Sequence, residues 1–198
     1  MIKFGINLVD LAMINLKTNL SKTELKKLKI LYKRAFPKAE RKPFAMILRS
    51  YAEQKGAIYA VFRGAKFAGL AIILISQEAV LLDYLAILPK FQSQKIGGAV
   101  LANLMQIYSE KTIFCEIEST ENLQNSLNSA KFKRKKFYLS NGLFGTGIKI
   151  SLWGVKMELL STKKEASFDE YFQIYRHAYG DKFELKIKNL NSLKSGEK

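Results

Sequence analysis

The 198-residue sequence holds a single cysteine, a single histidine and three prolines. One cysteine excludes an intramolecular disulfide framework and any multi-thiolate metal site. One histidine excludes His-rich zinc ligation and argues against a Ser-His-Asp arrangement. No metal is therefore expected. Acidic residues are scarce too: 17 Asp and Glu stand against 33 Lys and Arg, a net charge of +16. The longest clean apolar run, Leu70–Ile75, is far short of the roughly 20 residues that span a bilayer. The expectation is a cytoplasmic protein with no membrane partner.

Apolar mass is plentiful. Hydrophobic residues make up 48% of the chain and aromatics 12%, enough for a sizeable core and against wholesale disorder. The length suits one domain with end material. The positive balance fits nucleic acid, an anionic membrane or an anionic ligand, but charges spread over solvated faces are the more common reason for it.

Met1–Ala12 is unlike the rest of the chain and reads as an N-terminal extension, with Met13 as an alternative start. Ile14–Lys17 alternates like a strand. Ser21 and Glu24 have the spacing of a capping box, and Leu25, Leu28, Leu31, Tyr32 and Ala35 then recur at helical spacing until Pro37. Pro43 opens a second helix to about Gln54, with Gly56 as its left-handed stop. Three strands come next, Ala57–Phe62, Phe67–Ser76 and Val80–Leu88, joined by tight turns and ended by Pro89. A helical face of Ile96, Val100, Leu101, Leu104, Ile107 and Tyr108 precedes a strand at Thr112–Glu118. Strand, crossover helix and strand predict a parallel pairing of Val80–Leu88 with Thr112–Glu118. A helix from about Asn125 to Tyr138, strands near Gly145–Ile150 and Gly154–Leu160, and a helix over Ser167–Tyr179 complete the pattern. The expected fold is α/β, with a mixed, mostly antiparallel central sheet and helices on both faces. The domain spans residues 13–180, and 181–198 is a basic, flexible tail.

The most informative stretch joins the strand ending at Pro89 to the helix beginning near Ile96. A helix start presents unpaired N–H groups and a positive partial charge. Gly97 and Gly98 permit close approach by an anion, and Lys95 adds a formal charge. Taken alone, the segment fits an anion cradle and two glycines kept for close packing equally well.

This segment resembles the acetyl-CoA-binding motif of the GNAT-type N-acetyltransferases, Gln/Arg-x-x-Gly-x-Gly/Ala shortly after a strand ending in Pro. Anchored on Pro89, the match is Gln92-Ser93-Gln94-Lys95-Ile96-Gly97, with Lys95 at the first glycine; the shifted Gln94–Ala99 fits the letters but lies too far from Pro89. Phe36–Pro43 resembles the approach to the second helix in one bacterial branch of small GNAT proteins. Glu116-Ile117-Glu118 is similar to that branch's Glu-x-Glu strand end. Phe137-Tyr138 with Gly142-Leu143 resembles the family's Phe-Tyr-x-x-x-Gly-Phe. The resemblance runs from about Met13 to Tyr179 and implies acetyl-CoA as cosubstrate.

It also implies roles. Tyr138 would protonate the leaving thiolate. The coenzyme would lie on Gln92, Ser93, Gln94, Lys95, Ile96, Gly97 and Gly98, with its pyrophosphate on the amides of Gln94–Gly98, and along the strand backbone at Ile87 and Leu88, which would also polarise the carbonyl. From the residues themselves, Asp83 sits on an apolar strand face with Leu81, Leu85 and Ile87, where desolvation raises a carboxylate pKa. Asp83 and Glu116 are both candidate bases, and Glu118 a candidate for binding a cationic acceptor; the alternative for each is a structural ion pair. Cys115 alternates into the core and is not a nucleophile. Lys131, Lys133, Arg134, Lys135 and Lys136 read as a solvated face that could also reach a phosphate. The expected activity is acetyl transfer to a small-molecule or protein amine in a ternary complex, with a homodimer left open. A CoA-binding module without a base is the first alternative, and a nucleic-acid- or ribosome-associated protein ranks third.

Overall fold

The structure is a computed structural model that describes residues 14–120, 129–181 and 186–192. In chain order its elements are β1 (Ile14–Lys17), α1 (Lys22–Ala35), α2 (Phe44–Ala52), β2 (Gly56–Arg63), β3 (Lys66–Ile75), β4 (Ala79–Ile87), α3 (Ile96–Ile107), β5 (Thr112–Glu118), α4 (Ala130–Ser140), β6 (Phe144–Leu152), β7 (Val155–Ser161), α5 (Phe168–Tyr179) and β8 (Ile187–Asn189). The hydrogen-bonded strand order is β1-β2-β3-β4-β5-β7-β6-β8. The pairs β1–β2, β2–β3, β5–β7, β6–β7 and β6–β8 are antiparallel. This is the expected α/β class with a mostly antiparallel sheet.

The chain forms two compact units. Among the described residues, one holds 14–75 and 82–109; the other holds 76–81, 110–120, 129–181 and 186–192, so β4 contributes to both. In the first unit, Ser21 Oγ accepts from Glu24 N–H while Glu24 Oε2 accepts from Ser21 N–H, which closes the anticipated capping box and starts α1. Leu28, Leu31 and Tyr32 of α1 and Phe44 and Ile47 of α2 bury against Ile58, Ala60, Leu70, Ile72, Tyr84 and Ala86. Tyr59 points to the other face by strand alternation, and its hydroxyl lies 3.0 Å from that of Tyr108 at the end of α3. Helices therefore flank both faces of this unit's strands.

The second unit repeats the arrangement around β5. Phe114 meets the Tyr171 ring of α5 at 5.8 Å on one face. Cys115, on the other, is a neighbour of Tyr138 from α4. Ser129 caps α4 through the Phe132 amide, so this helix runs Ala130–Ser140 rather than 125–138; residues 125–128 lie outside the described residues.

Two further expectations change. The left-handed residue after α2 is Gln54, with φ 58°, and not Gly56. Gly56 opens β2, where a Cβ would come within 2.8 Å of the Ile73 carbonyl across the hairpin. Within the stretch assigned to the tail, Ile187–Asn189 forms an edge strand on β6, with Leu152 opposite Ile187. The N-terminal extension 1–12 and residues 193–198 lie outside the described residues.

Candidate active site

In the first unit, β4 delivers the chain to the phosphate-type loop. Leu88 N–H donates to Ala68 O at 2.8 Å, so pairing with β3 persists to the last residue before Pro89. That bond removes Leu88 N–H as a carbonyl-polarising donor, a correction to the sequence expectation. Adjacent strand amides point to opposite edges, which turns Ile87 N–H away from β3. The Ile87 carbonyl accepts from Gln92 Nε2 at 3.0 Å. Gln92 thus braces the loop against the strand. Gln94 does the same further on: its amide donates to Lys90 O at 2.8 Å and accepts from Arg63 Nη1. Gly69 sits opposite this strand end, where a Cβ would lie 2.4 Å from Ala86 O and 3.3 Å from Ile87 Cα. No sequence motif marks that position.

The loop then turns through Ser93 at φ 59° and Lys95 at φ 58°, ψ 4°. Both are left-handed, a conformation that costs a side-chain-bearing residue about 1–2 kcal/mol. Lys95 thus adopts a backbone conformation that glycine takes at no steric cost. The first bond inside α3 is Ala99 N–H to Lys95 O at 3.1 Å, and no side chain caps the helix. The amides of Ile96, Gly97 and Gly98 precede that bond, the arrangement that binds a phosphate anion. Ile96 and Gly98 are buried, whereas Gln92–Lys95 are exposed.

Asp83 is held by a residue the sequence reading did not single out. Lys42 Nζ lies 2.7 Å from Asp83 Oδ1, with the side chains 7% and 4% exposed. Asp83 Oδ2 is buried without a hydrogen-bond partner. Burial pushes the Asp83 carboxyl above its ordinary range, and the Lys42 ammonium opposes the rise without cancelling it.

In the second unit, Glu116 and Glu118 share one face of β5. Glu116 Oε1 accepts from the hydroxyls of Tyr171 at 2.5 Å and Tyr175 at 2.9 Å, two α5 residues one helical turn apart. Glu118 pairs with Lys131 at 2.7 Å, which engages one of the α4 cations. On the opposite face, burial raises the Tyr138 hydroxyl well above its usual pKa. Neighbouring Cys115 reinforces the rise, and Arg134 opposes it. The phenol therefore stays protonated at neutral pH. The helix end explains the surrounding motif. Leu143 N–H reaches Tyr138 O at 3.2 Å and Gly142 N–H reaches Leu139 O at 3.4 Å, a Schellman stop that needs Gly142 at φ 93° and buries Leu143. His177 is exposed. Among the described residues, no cluster of His, Cys, Asp and Glu could hold a metal ion, and no helix is long and apolar enough to cross a membrane.

No protein-family model matches this chain, and no curated protein matches it in sequence. Solved structures do. A putative GNAT-family acetyltransferase from Bacteroides thetaiotaomicron superposes with a TM-score of 0.65 at 17% identity, over 84% of this chain and 98% of that one. An aminoglycoside 6'-N-acetyltransferase complexed with coenzyme A gives 0.59 at 12% identity, over 78% and 98%. Arabidopsis thaliana Naa50, in complex with the bisubstrate analogue CoA-Ac-MVNAL, gives 0.58 at 17% identity, over 76% and 99%. The chain accordingly has the fold of the GNAT acetyltransferases.

Proposed function

We propose that this chain is an acetyl-CoA-dependent N-acetyltransferase that moves the acetyl group directly to an amine. The observation that carries the reading is the start of α3: a left-handed Lys95 ahead of the Ile96, Gly97 and Gly98 amides, at the place where the fold's acetyl-CoA motif lies. The residues fit the coenzyme's pyrophosphate, since helix-start amides supply donors and Lys95 supplies a charge. Acetyl-CoA, when bound, provides an activated thioester.

The chain's own groups then divide the work. Ile87 N–H, turned away from β3, is the remaining strand donor for the thioester oxygen. Tyr138, kept protonated by burial, supplies the proton for the leaving sulfur. Asp83 or Glu116 accepts a proton from the amine. Glu118, beside Lys131, contributes to acceptor binding. The acceptor is an amine on a small molecule or on a protein, in keeping with an aminoglycoside enzyme and a peptide-analogue complex among the structural neighbours. We assign residues 13–180, together with the β8 edge, to this one activity.

Release of free thiol from acetyl-CoA in the presence of spermidine, an aminoglycoside or a glycyl peptide tests the reading. Amine-dependent release supports it; release that no amine accelerates counts against it. A CoA-binding module without turnover is the second reading. It is favoured by one specific observation: both candidate bases are already engaged, Asp83 by Lys42 and Glu116 by two tyrosines.

A further inference from the structure

The turn between β6 and β7 carries the chain's single tryptophan, and the transferase reading makes no use of it. Leu152 pairs with Val155, so Trp153 and Gly154 are the two central residues of this hairpin. Both have positive φ, 48° and 83°, as a type I′ turn requires. Asn, Asp or Gly normally fills the first of these places, because a bulky side chain is strained there. Trp153 is therefore held at a backbone cost, and it is still 46% exposed. Val155 is 50% exposed and Leu152 is half-buried. Core packing does not call for a strained tryptophan left this open, nor for a second open apolar residue beside it.

The tip is braced rather than loose. Trp153 N–H donates to Lys186 O at 2.9 Å, and β8 sets Ile187 opposite Leu152. One row behind the tip, Lys156 and Lys188 stand on either side of Ser151 across the three paired strands. Residues directly opposite one another share a sheet face, so these two lysines lie on one face and Leu152 and Val155 on the other. Lys156, Lys186 and Lys188 are all exposed. The acid within these strands is Glu158, and it already engages Lys135 and Thr120.

We propose that the β6–β7 turn docks on an anionic lipid surface. Trp153, Leu152 and Val155 enter the headgroup layer, and Lys156, Lys186 and Lys188 pair with lipid phosphates and carboxylates. This contact is independent of the transferase reading.

An indole has an apolar body and one N–H, which suits the boundary between water and acyl chains. Lysines just behind it supply the attraction that an anionic leaflet returns. Single-stranded nucleic acid also pairs aromatics with cations, through base stacking. Stacking uses a flat ring and gains nothing from Val155 or Leu152, whereas lipid burial rewards all three side chains. The sequence expectation of no membrane partner rested on the lack of a spanning run, and a surface contact needs none.

Because Trp153 is the only tryptophan, the emission of the unmodified full chain reports on this tip alone. The chain is mixed with vesicles of phosphatidylcholine, or of phosphatidylcholine and phosphatidylserine in equal parts. With the mixed vesicles the protein should co-sediment, its emission should move to shorter wavelength, and bromine on the acyl chains should quench it. Pure phosphatidylcholine should bind at least about tenfold more weakly. Trp153→Asn preserves the turn, since Asn adopts this backbone readily. It should bind mixed vesicles at least about tenfold more weakly, with an unfolding midpoint no lower than that of wild type. Lys156→Gln with Lys188→Gln should weaken binding about 25-fold at low salt, roughly fivefold for each cation. Absence of co-sedimentation with mixed vesicles at low salt overturns the inference. So does full binding by Trp153→Asn, or equal binding to the two kinds of vesicle. Emission that single-stranded RNA changes and vesicles leave untouched overturns it in favour of a nucleic-acid surface. Should a variant fail to fold, the wild-type emission and quenching decide.

Discussion

The Lys42 ammonium and the Asp83 carboxylate form an ion pair of 2.7 Å in which both side chains are withdrawn from water. It ties the approach to α2 to the middle of β4. Burying two charges gains little net stability, because desolvation offsets the attraction. Leaving one of them alone is another matter, and the consequences reach stability as well as chemistry.

Lys42→Met should cost about 3–5 kcal/mol at neutral pH, since it strands a buried carboxylate. The sign with pH comes from burial. The folded pKa of Asp83 lies above its unfolded value, so stability is fully present below the unfolded pKa and is lost as pH rises through the folded one. Denaturant unfolding should therefore find the variant close to wild type near pH 4 and much weaker near pH 8. Adding Asp83→Leu should recover most of the loss at pH 8. A deficit independent of pH contradicts this account.

Gly69→Ala brings a Cβ to 2.4 Å from Ala86 O, a backbone atom that cannot step aside. The end of β4 must shift, and with it Ile87. Thermal unfolding should show a loss of about 1–3 kcal/mol, the usual cost of overpacking, together with weaker acetyl-CoA binding. Binding unchanged at lowered stability would detach this strand end from the coenzyme site.

Lys95→Gly separates backbone from charge. Glycine relieves the left-handed strain but enlarges the unfolded ensemble, so stability should change by less than about 1 kcal/mol. The lost cation should weaken acetyl-CoA binding several-fold at low ionic strength, and the deficit should shrink in salt. Titration at two salt concentrations checks this. A deficit that salt does not touch assigns Lys95 a purely conformational role.

What the sequence made legible was local. The Ser21–Glu24 spacing closes a capping box because the cap is a four-residue event. The Arg63–Lys66 hairpin and the stop at Pro89 are likewise written in neighbouring residues. The α4 boundary moved because the cap falls at Ser129, and β8 escaped notice because three residues of a basic stretch form a strand only against β6. Around the candidate site, the strand end at Pro89 and the helix start near Ile96 were legible, but the left-handed backbone of Lys95 was not. The engagement of the carboxylates was illegible: Lys42, Tyr171 and Tyr175 reach Asp83 and Glu116 only through tertiary packing.

Tyr138→Phe removes the proton donor assigned to the leaving sulfur, along with the hydroxyl's interaction with Cys115, and keeps the buried ring. Turnover should fall by about 100-fold or more, with coenzyme affinity within a few-fold of wild type. Steady-state rates and acetyl-CoA titration on one preparation decide. An unchanged rate would leave Tyr138 as the buried residue of a helix stop.

The most direct measurement is the thermal unfolding midpoint of the full chain with and without acetyl-CoA. A ligand that binds only the folded protein adds roughly 2.7 kcal/mol at a hundredfold excess over its dissociation constant. The account predicts a midpoint that climbs with acetyl-CoA concentration and climbs less in Lys95→Gly at low salt. A midpoint that stays fixed up to millimolar acetyl-CoA would contradict it.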